Sequence, residues 1–185
     1  MEVFQLNFLN NPLMLYLYGK LLWSIPTAVF FLALYFAFFA RLNAKCSTRT
    51  VIIYRSILIV YISFLLTITL DIDIIWVCIW HNWPFPDIRL FSGNVNLDVF
   101  CPDETPLMLI ENIILFIPFG FLFPLSHKGK VCSTSRVLKI GIALSLLIEL
   151  TQFVIGRSTD ICDFLMNSCG VILGYAFLSK IRKTV

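Results

Sequence analysis

Eight polar residues stand out in the apolar second half of this chain: Glu111, Asn112, Glu149, Gln152, Arg157, Asp160, Asp163 and Asn167. An ionisable side chain inside hydrocarbon costs on the order of 3 kcal/mol unless it faces protein or water, so each is a functional candidate by default. Neighbouring carboxylates repel unless they are protonated or bound to a cation. With a guanidinium and three amides beside them, they could hold the polar head of a ligand, bind a divalent cation through hard oxygen atoms, or pass protons. Each residue also has a plainer reading. Asn112 with Glu149, or Gln152 with Asn167, would make interhelical hydrogen bonds. Arg157 with Asp160 would make a turn ion pair, and Ser158 or Asp160 a helix N-cap.

Spacing gathers these residues. Asp160, Asp163, Asn167, Gly170 and Gly174 follow steps of three and four, which at about 100° per residue confines them to an arc of roughly 80° on one helix. Gly141, Ser145, Glu149 and Gln152 do the same on another. Each stripe has small residues at one end, where backbones can approach, and polar residues at the other. Gly170 and Gly174 form the G-x-x-x-G close-packing pattern. Pro118 and Gly120 should loosen the helix that carries Glu111 and Asn112, freeing carbonyls near Ile114.

The elements that position these stripes are membrane spans. The 185-residue chain is 59% hydrophobic and 14% charged, with a mean hydropathy of +0.88, far from the balance of a soluble domain. A helix needs about 20 apolar residues to cross a bilayer. Leu21–Ala40, Val51–Leu70, Leu107–Leu125, Val137–Ile155 and Ile161–Leu178 supply five such runs, the second able to continue to Trp80. The fold class expected is all-α, a polytopic membrane bundle. It divides into residues 1–80 with two spans, a loop over 81–106, a three-helix core over 107–178 and a basic tail over 179–185. Residues 1–19 lack the basic start of a signal peptide and suit an interfacial segment.

Lys and Arg set the orientation. Arg41, Lys45, Arg49, Lys128, Lys130, Arg136, Lys139, Lys180, Arg182 and Lys183 fall on one side, which the positive-inside rule makes cytoplasmic. The N-terminus is then outside, the C-terminus inside, and the polar residues belong to the outer half of the membrane. Glu149 lies roughly 9 Å below the outer end of its span at 1.5 Å per residue. Arg55 sits close enough to its span end to snorkel. A net charge of +3 gives no ground for nucleic-acid binding. Cys46, Cys78, Cys101, Cys132, Cys162 and Cys169 form no C-x-x-C pair and read as small apolar filler, with a disulfide among Cys78, Cys101 and Cys162 left open.

Three blocks resemble a known family, the VanZ-like membrane proteins, named for a protein linked to teicoplanin resistance in Gram-positive bacteria. Glu111 to Gly120, ENIILFIPFG, is similar to its N-hhhF-h-P-h-G span; SLLIELTQ, Ser145 to Gln152, to its second block; and Gly156 to Gly174 to its G-R-S-x-D-h-x-D-hhh-N-xx-G-xxx-G block. The resemblance covers roughly Asn96 to Leu178. Val99 stands where the family often has proline, and Cys162 where many members have a third acidic or polar residue.

The resemblance implies a multi-pass protein of the bacterial plasma membrane, with membrane lipids as neighbours and a role in glycopeptide resistance. Its polar pocket would bind a lipid-linked cell-wall precursor or a lipoglycopeptide antibiotic. An intramembrane enzyme using a divalent cation on a lipid phosphate is one alternative, and a small ion-coupled transporter through Glu149 and Glu111 is another. No D-D-x-x-D, nucleophile elbow or H-E-x-x-H occurs, and His81 and His127 fall on opposite sides, so the balance leans away from an enzyme. No resident cofactor is expected, a divalent cation being the one candidate, and no metal ligands are assigned.

The orientation predicts that a membrane-impermeant thiol reagent on intact cells will label Cys101 and leave Cys46 and Cys132 untouched. Labelling of Cys46 or Cys132 from outside would overturn it.

Overall fold

A computed structural model of the chain describes residues 12–40, 49–86, 90–101, 105–127 and 133–184. Among them, five helices are long and apolar enough to cross a membrane. These are α1 (Pro12–Leu34, continued as a π-helical turn over Tyr35–Ala40), α2 (Arg49–Leu70), α4 (Pro106–Leu125), α5 (Thr134–Val154) and α6 (Ile161–Thr184). A short helix, α3 (Asp73–His81), follows α2, and two-residue strands β1 (Val95–Asn96) and β2 (Thr159–Asp160) pair in parallel. The protein is a multi-pass membrane helix bundle.

Three boundaries differ from the sequence reading. The first helix begins at Pro12, so residues 12–19 continue the span instead of forming a separate segment; residues 1–11 lie outside those described. The second span does not continue to Trp80. Asp71 takes a left-handed conformation, φ 51°, which ends α2 at Leu70, and the chain restarts as α3. The last helix passes Leu178 and runs to Thr184, so Lys180, Arg182 and Lys183 stand on its final turns.

In the bundle α6 packs on both α4 and α5, α2 packs on α4, and α1 packs outside α2. Leu58, Leu65, Phe116, Phe119, Phe123, Val137, Ile148 and Val171 form the core. Lipid tails are as apolar as leucine, so burial of such residues cannot by itself choose which face turns inward. Close backbone approach makes that choice. A Cβ added at Gly174 would stand 2.0 Å from the Ile117 carbonyl oxygen, one at Gly170 2.3 Å from that of Ile113, and one at Gly120 2.2 Å from that of Val171. The α4 and α6 backbones therefore touch from both sides, with glycine Cα–H groups facing carbonyls. Gly141 receives the Val171 side chain, whose methyls would lie 2.7 Å from an added Cβ.

Pro118 leaves α4 continuous. The Leu115 carbonyl nearby accepts the Tyr61 hydroxyl of α2 at 2.6 Å. One of the carbonyls near Ile114 is thus used in packing, on α2. Arg55 Nε donates to the Ser126 carbonyl at 2.9 Å, at the C-terminal end of α4, where a cation complements the helix dipole.

Gly174→Ala should destabilise the protein by about 1–3 kcal/mol, the usual cost of overpacking, and lower its thermal unfolding midpoint in detergent. Gly19→Ala, with nothing within 4 Å of the added Cβ, should leave the midpoint unchanged or raise it. Equal midpoints for the two variants would refute the glycine contact.

Candidate functional site

At the end of the bundle where α5 turns into α6, Asp160 is the hub. Its Oδ1 accepts the Cys162 N–H at 2.8 Å, capping the start of α6, and its Oδ2 accepts Asn96 Nδ2 at 2.8 Å. Its own N–H donates to Glu149 Oε2 at 3.2 Å. Thr159 pairs with Val95 and Asn96 with Asp160 in the short sheet, while the Thr159 hydroxyl donates to the Glu149 carbonyl at 3.1 Å. The loop before α4 is thereby laid across the α5–α6 turn. A Cβ on Gly93 would stand 1.8 Å from the Arg157 carbonyl oxygen, so only glycine lets the two backbones meet there.

Val99, where the family often has proline, does not disturb this loop. Asn96 Oδ1 accepts the Asp98 N–H at 3.0 Å and Asp98 Oδ1 accepts the Phe100 N–H at 2.9 Å, two successive Asx turns that shape the backbone without a proline. Immediately after them Cys101 forms a disulfide with Cys162, Cα–Cα 5.9 Å. The bridge ties the loop to the first turn of α6, two residues from Asp160. Of the described cysteines, Cys78 and Cys169 are free. Labelling of Cys101 therefore requires prior reduction.

Below the hub, Asn112 Nδ2 of α4 donates to Asp163 Oδ1 of α6. Glu149 is 4% exposed and within electrostatic reach of Asp163 and Asp160. One turn deeper, Asn167 Nδ2 donates to Ser145 Oγ at 3.1 Å. The interhelical partners are thus Asn112 with Asp163 and Asn167 with Ser145. The pairings expected from sequence, Asn112 with Glu149 and Gln152 with Asn167, are not the ones formed. Glu111 lies on the exposed face of α4, outside this network.

Arg157 and Gln152 serve a second network. Where Asp71 breaks the helix, the Thr69 carbonyl at the end of α2 loses its intrahelical partner. Gln152 Nε2 donates to it at 3.0 Å and an Arg157 Nη1 donates at 3.1 Å. The same Nη1 pairs with Asp71 Oδ2, so Arg157 forms its ion pair with Asp71 and not with Asp160. Lys20 of α1 completes the row, 2.5 Å from Asp71 and 2.7 Å from Asp73. Two cations and two carboxylates balance here. Sequence reading missed Lys20, Asp71, Asp73, Thr69 and Asn96 as parts of the site. Opposite charges at the ends of successive apolar runs, Lys20 and the Asp71–Asp73 pair, were the available signal; the Thr69 carbonyl carries none.

Beside this second network lies a cleft of about 600 Å³, lined by Asp71 and Arg157 together with Leu70, Ile74, Ile75 and Ile155. Such a volume suits a small ligand. Among the described residues, no group of three or more His, Cys, Asp or Glu side chains is gathered to hold a metal ion.

A family model described as VanZ/LLP1 matches residues 74–182, more than half of the chain. The chain belongs to the VanZ/LLP1 family. The matched region runs from α3 through α6, so it begins about one helix and a loop before the stretch in which the sequence blocks show the likeness, and it includes both the disulfide and the β1–β2 crossing. The chain is also similar to Protein VanZ of Enterococcus faecium, 36% identical over 84 residues, which cover 44% of this chain and 50% of that protein. It spans about half the length of that curated relative. No solved structure matches it significantly. In this chain Asn112, Glu149, Asp160 and Asp163 join α4, α5, α6 and the loop.

Asn112→Asp should set two carboxylates against each other and destabilise the protein by about 1–3 kcal/mol, the range for a hydrogen bond to a charged group. Adding Asp163→Asn should restore most of the loss, read as the thermal midpoint in detergent. A double variant no more stable than Asn112→Asp would show that the two side chains are not coupled.

Proposed function

We propose that this protein acts in the bacterial plasma membrane with the α5–α6 turn facing outward, and that its polar mouth holds a lipid-linked or lipid-tailed ligand. A cell-wall precursor and the acyl tail of a lipoglycopeptide are the two chemistries considered, and resistance to teicoplanin-type antibiotics is the outcome. The observation that carries the reading is the cleft of about 600 Å³, whose lining combines the charged Arg157 and Asp71 with the apolar Leu70, Ile74, Ile75 and Ile155. An amphiphile matches that division, its head at the charged pair and its tail along Leu70, Ile74 and Ile155.

Two features support the outward orientation. The Cys101–Cys162 disulfide sits at this end, and disulfides persist in oxidising compartments outside the cytoplasm. Arg49, Arg136, Lys139, Lys180, Arg182 and Lys183 cluster at the opposite ends of their helices, as the positive-inside rule requires of a cytoplasmic face. The likeness to Protein VanZ supports the resistance role.

Expression in a susceptible Gram-positive host should raise the teicoplanin inhibitory concentration. Asn112→Ala, Glu149→Gln, Asp160→Asn and Asp163→Asn should each abolish the increase at an unchanged level of membrane protein. An inhibitory concentration unchanged by the wild-type protein would sink the resistance role. An increase that survives all four substitutions would remove the Asn112–Glu149–Asp160–Asp163 group from the site.

A further inference from the structure

The stretch Asp73–Phe85 lies between two spans, in the place of an aqueous loop, yet its composition is wrong for water. In α3 only the ends are polar, Asp73 at the start and His81 at the finish. Between them Ile74, Ile75, Ile79 and Trp80 are exposed, Trp80 to 78%, while Cys78 is buried against protein. An amphipathic helix resting on a membrane surface would keep a charged face toward water. α3 has apolar residues on its protein side and on its open side. At about 13 Å for nine residues it is also too short to cross the bilayer.

Its anchors say which way it runs. Asp73 pairs with Lys20 at 2.7 Å, and one turn later Trp76 Nε1 donates to Thr27 Oγ1 at 2.7 Å. Lys20 and Thr27 both belong to α1, with Thr27 about 10 Å further along the helix, toward the middle of the membrane. α3 therefore slants down beside α1 from the charged row. Asn82, in the left-handed conformation at φ 52°, ends it. The Trp83 N–H donates back to the Cys78 carbonyl at 2.9 Å, and the chain returns, Phe85 and Pro86 reaching the cleft beside Asp71 and Ile72.

We infer that Asp73–Phe85 is a re-entrant segment immersed in the lipid leaflet, descending as α3 and returning through Asn82–Phe85, with the acyl region of surrounding lipids as the partner of its exposed Ile75, Ile79 and Trp80. Its short link to the end of α2, through Asp71 and Ile72, holds it at the depth of the headgroups and upper acyl chains, where tryptophan is favoured. Because Ile74, Ile75 and Phe85 also line the cleft, this immersion gives a lipid tail a lateral way in from the leaflet. The inference does not depend on the resistance role or on which side of the membrane faces outward.

The test uses the full-length protein in vesicles of phosphatidylglycerol and phosphatidylcholine, with Trp23→Phe, Trp76→Phe and Trp83→Phe leaving Trp80 as the sole tryptophan. Lipids brominated near the top of the acyl chain should remove most of its emission, and aqueous iodide should remove little. Quenching by iodide and not by brominated lipid would place the segment in water and overturn the inference. Quenching by neither would mean that a protein surface, such as a second copy, covers Trp80, and would overturn it equally. If the triple substitution prevents folding, Ile79→Cys in a chain with Cys46, Cys78, Cys132 and Cys169 replaced by serine, which leaves the new thiol as the reactive one, answers the same question. Its labelling by a charged maleimide should be slow in sealed vesicles and fast in detergent, and equal rates would refute immersion.

Discussion

The approach of α4 to α6 sets the geometry of everything above it. Two glycines on α6, Gly170 and Gly174, and one on α4, Gly120, bring the helix backbones to a separation that no side chain fits. In lipid, where apolar burial gives little preference for one face over another, such contact is the main source of specificity between helices. It fixes rotation as well as distance. About two turns along from Gly120 and Gly170, Asn112 and Asp163 are carried into each other's reach, and Val171 is pressed into the notch at Gly141 of α5. A polar pair in a membrane bundle works only if its members meet, and here the glycine seam decides that they do.

Above the seam the chain solves the problem of helix ends in an apolar medium, where backbone groups must find partners within the protein. Asp160 satisfies the start of α6, while Gln152 and Arg157 satisfy the end of α2. The polar mouth is therefore partly structural. What exceeds that need is the grouping of Glu149 beside Asp160 and Asp163 and the open cleft next to Arg157. The disulfide and the short parallel sheet hold the loop over this region, so the mouth keeps its shape although its covering segment belongs to no span.

Much of this was legible in the residues. Runs of apolar residues located the five spans, the start of the first and the end of the last being the boundaries that moved most, because crossing hydrocarbon demands a length that other folds do not. Steps of three and four gave the stripes on α5 and α6, and Gly141, Gly170 and Gly174 do line close contacts. Gly120 was legible as a residue but not in its role, since its use lies in the carbonyl of Val171 on another helix. Arg157 shows the same limit. Its neighbour in sequence is Asp160, its neighbour in space is Asp71, and the distance of 86 residues between the pair leaves no periodic trace.

By itself, then, the amino-acid order determined the number of spans, the helix faces that must turn inward and the family to which the chain belongs, since hydrophobic length, helical period and motif spacing are local properties. Tertiary structure decided who meets whom. It split one expected pocket into two networks, paired Cys101 with Cys162, turned α3 down beside α1 and left Glu111 outside. Those outcomes depend on how far and at what rotation separate helices approach, and that is set by contacts between residues far apart in the chain.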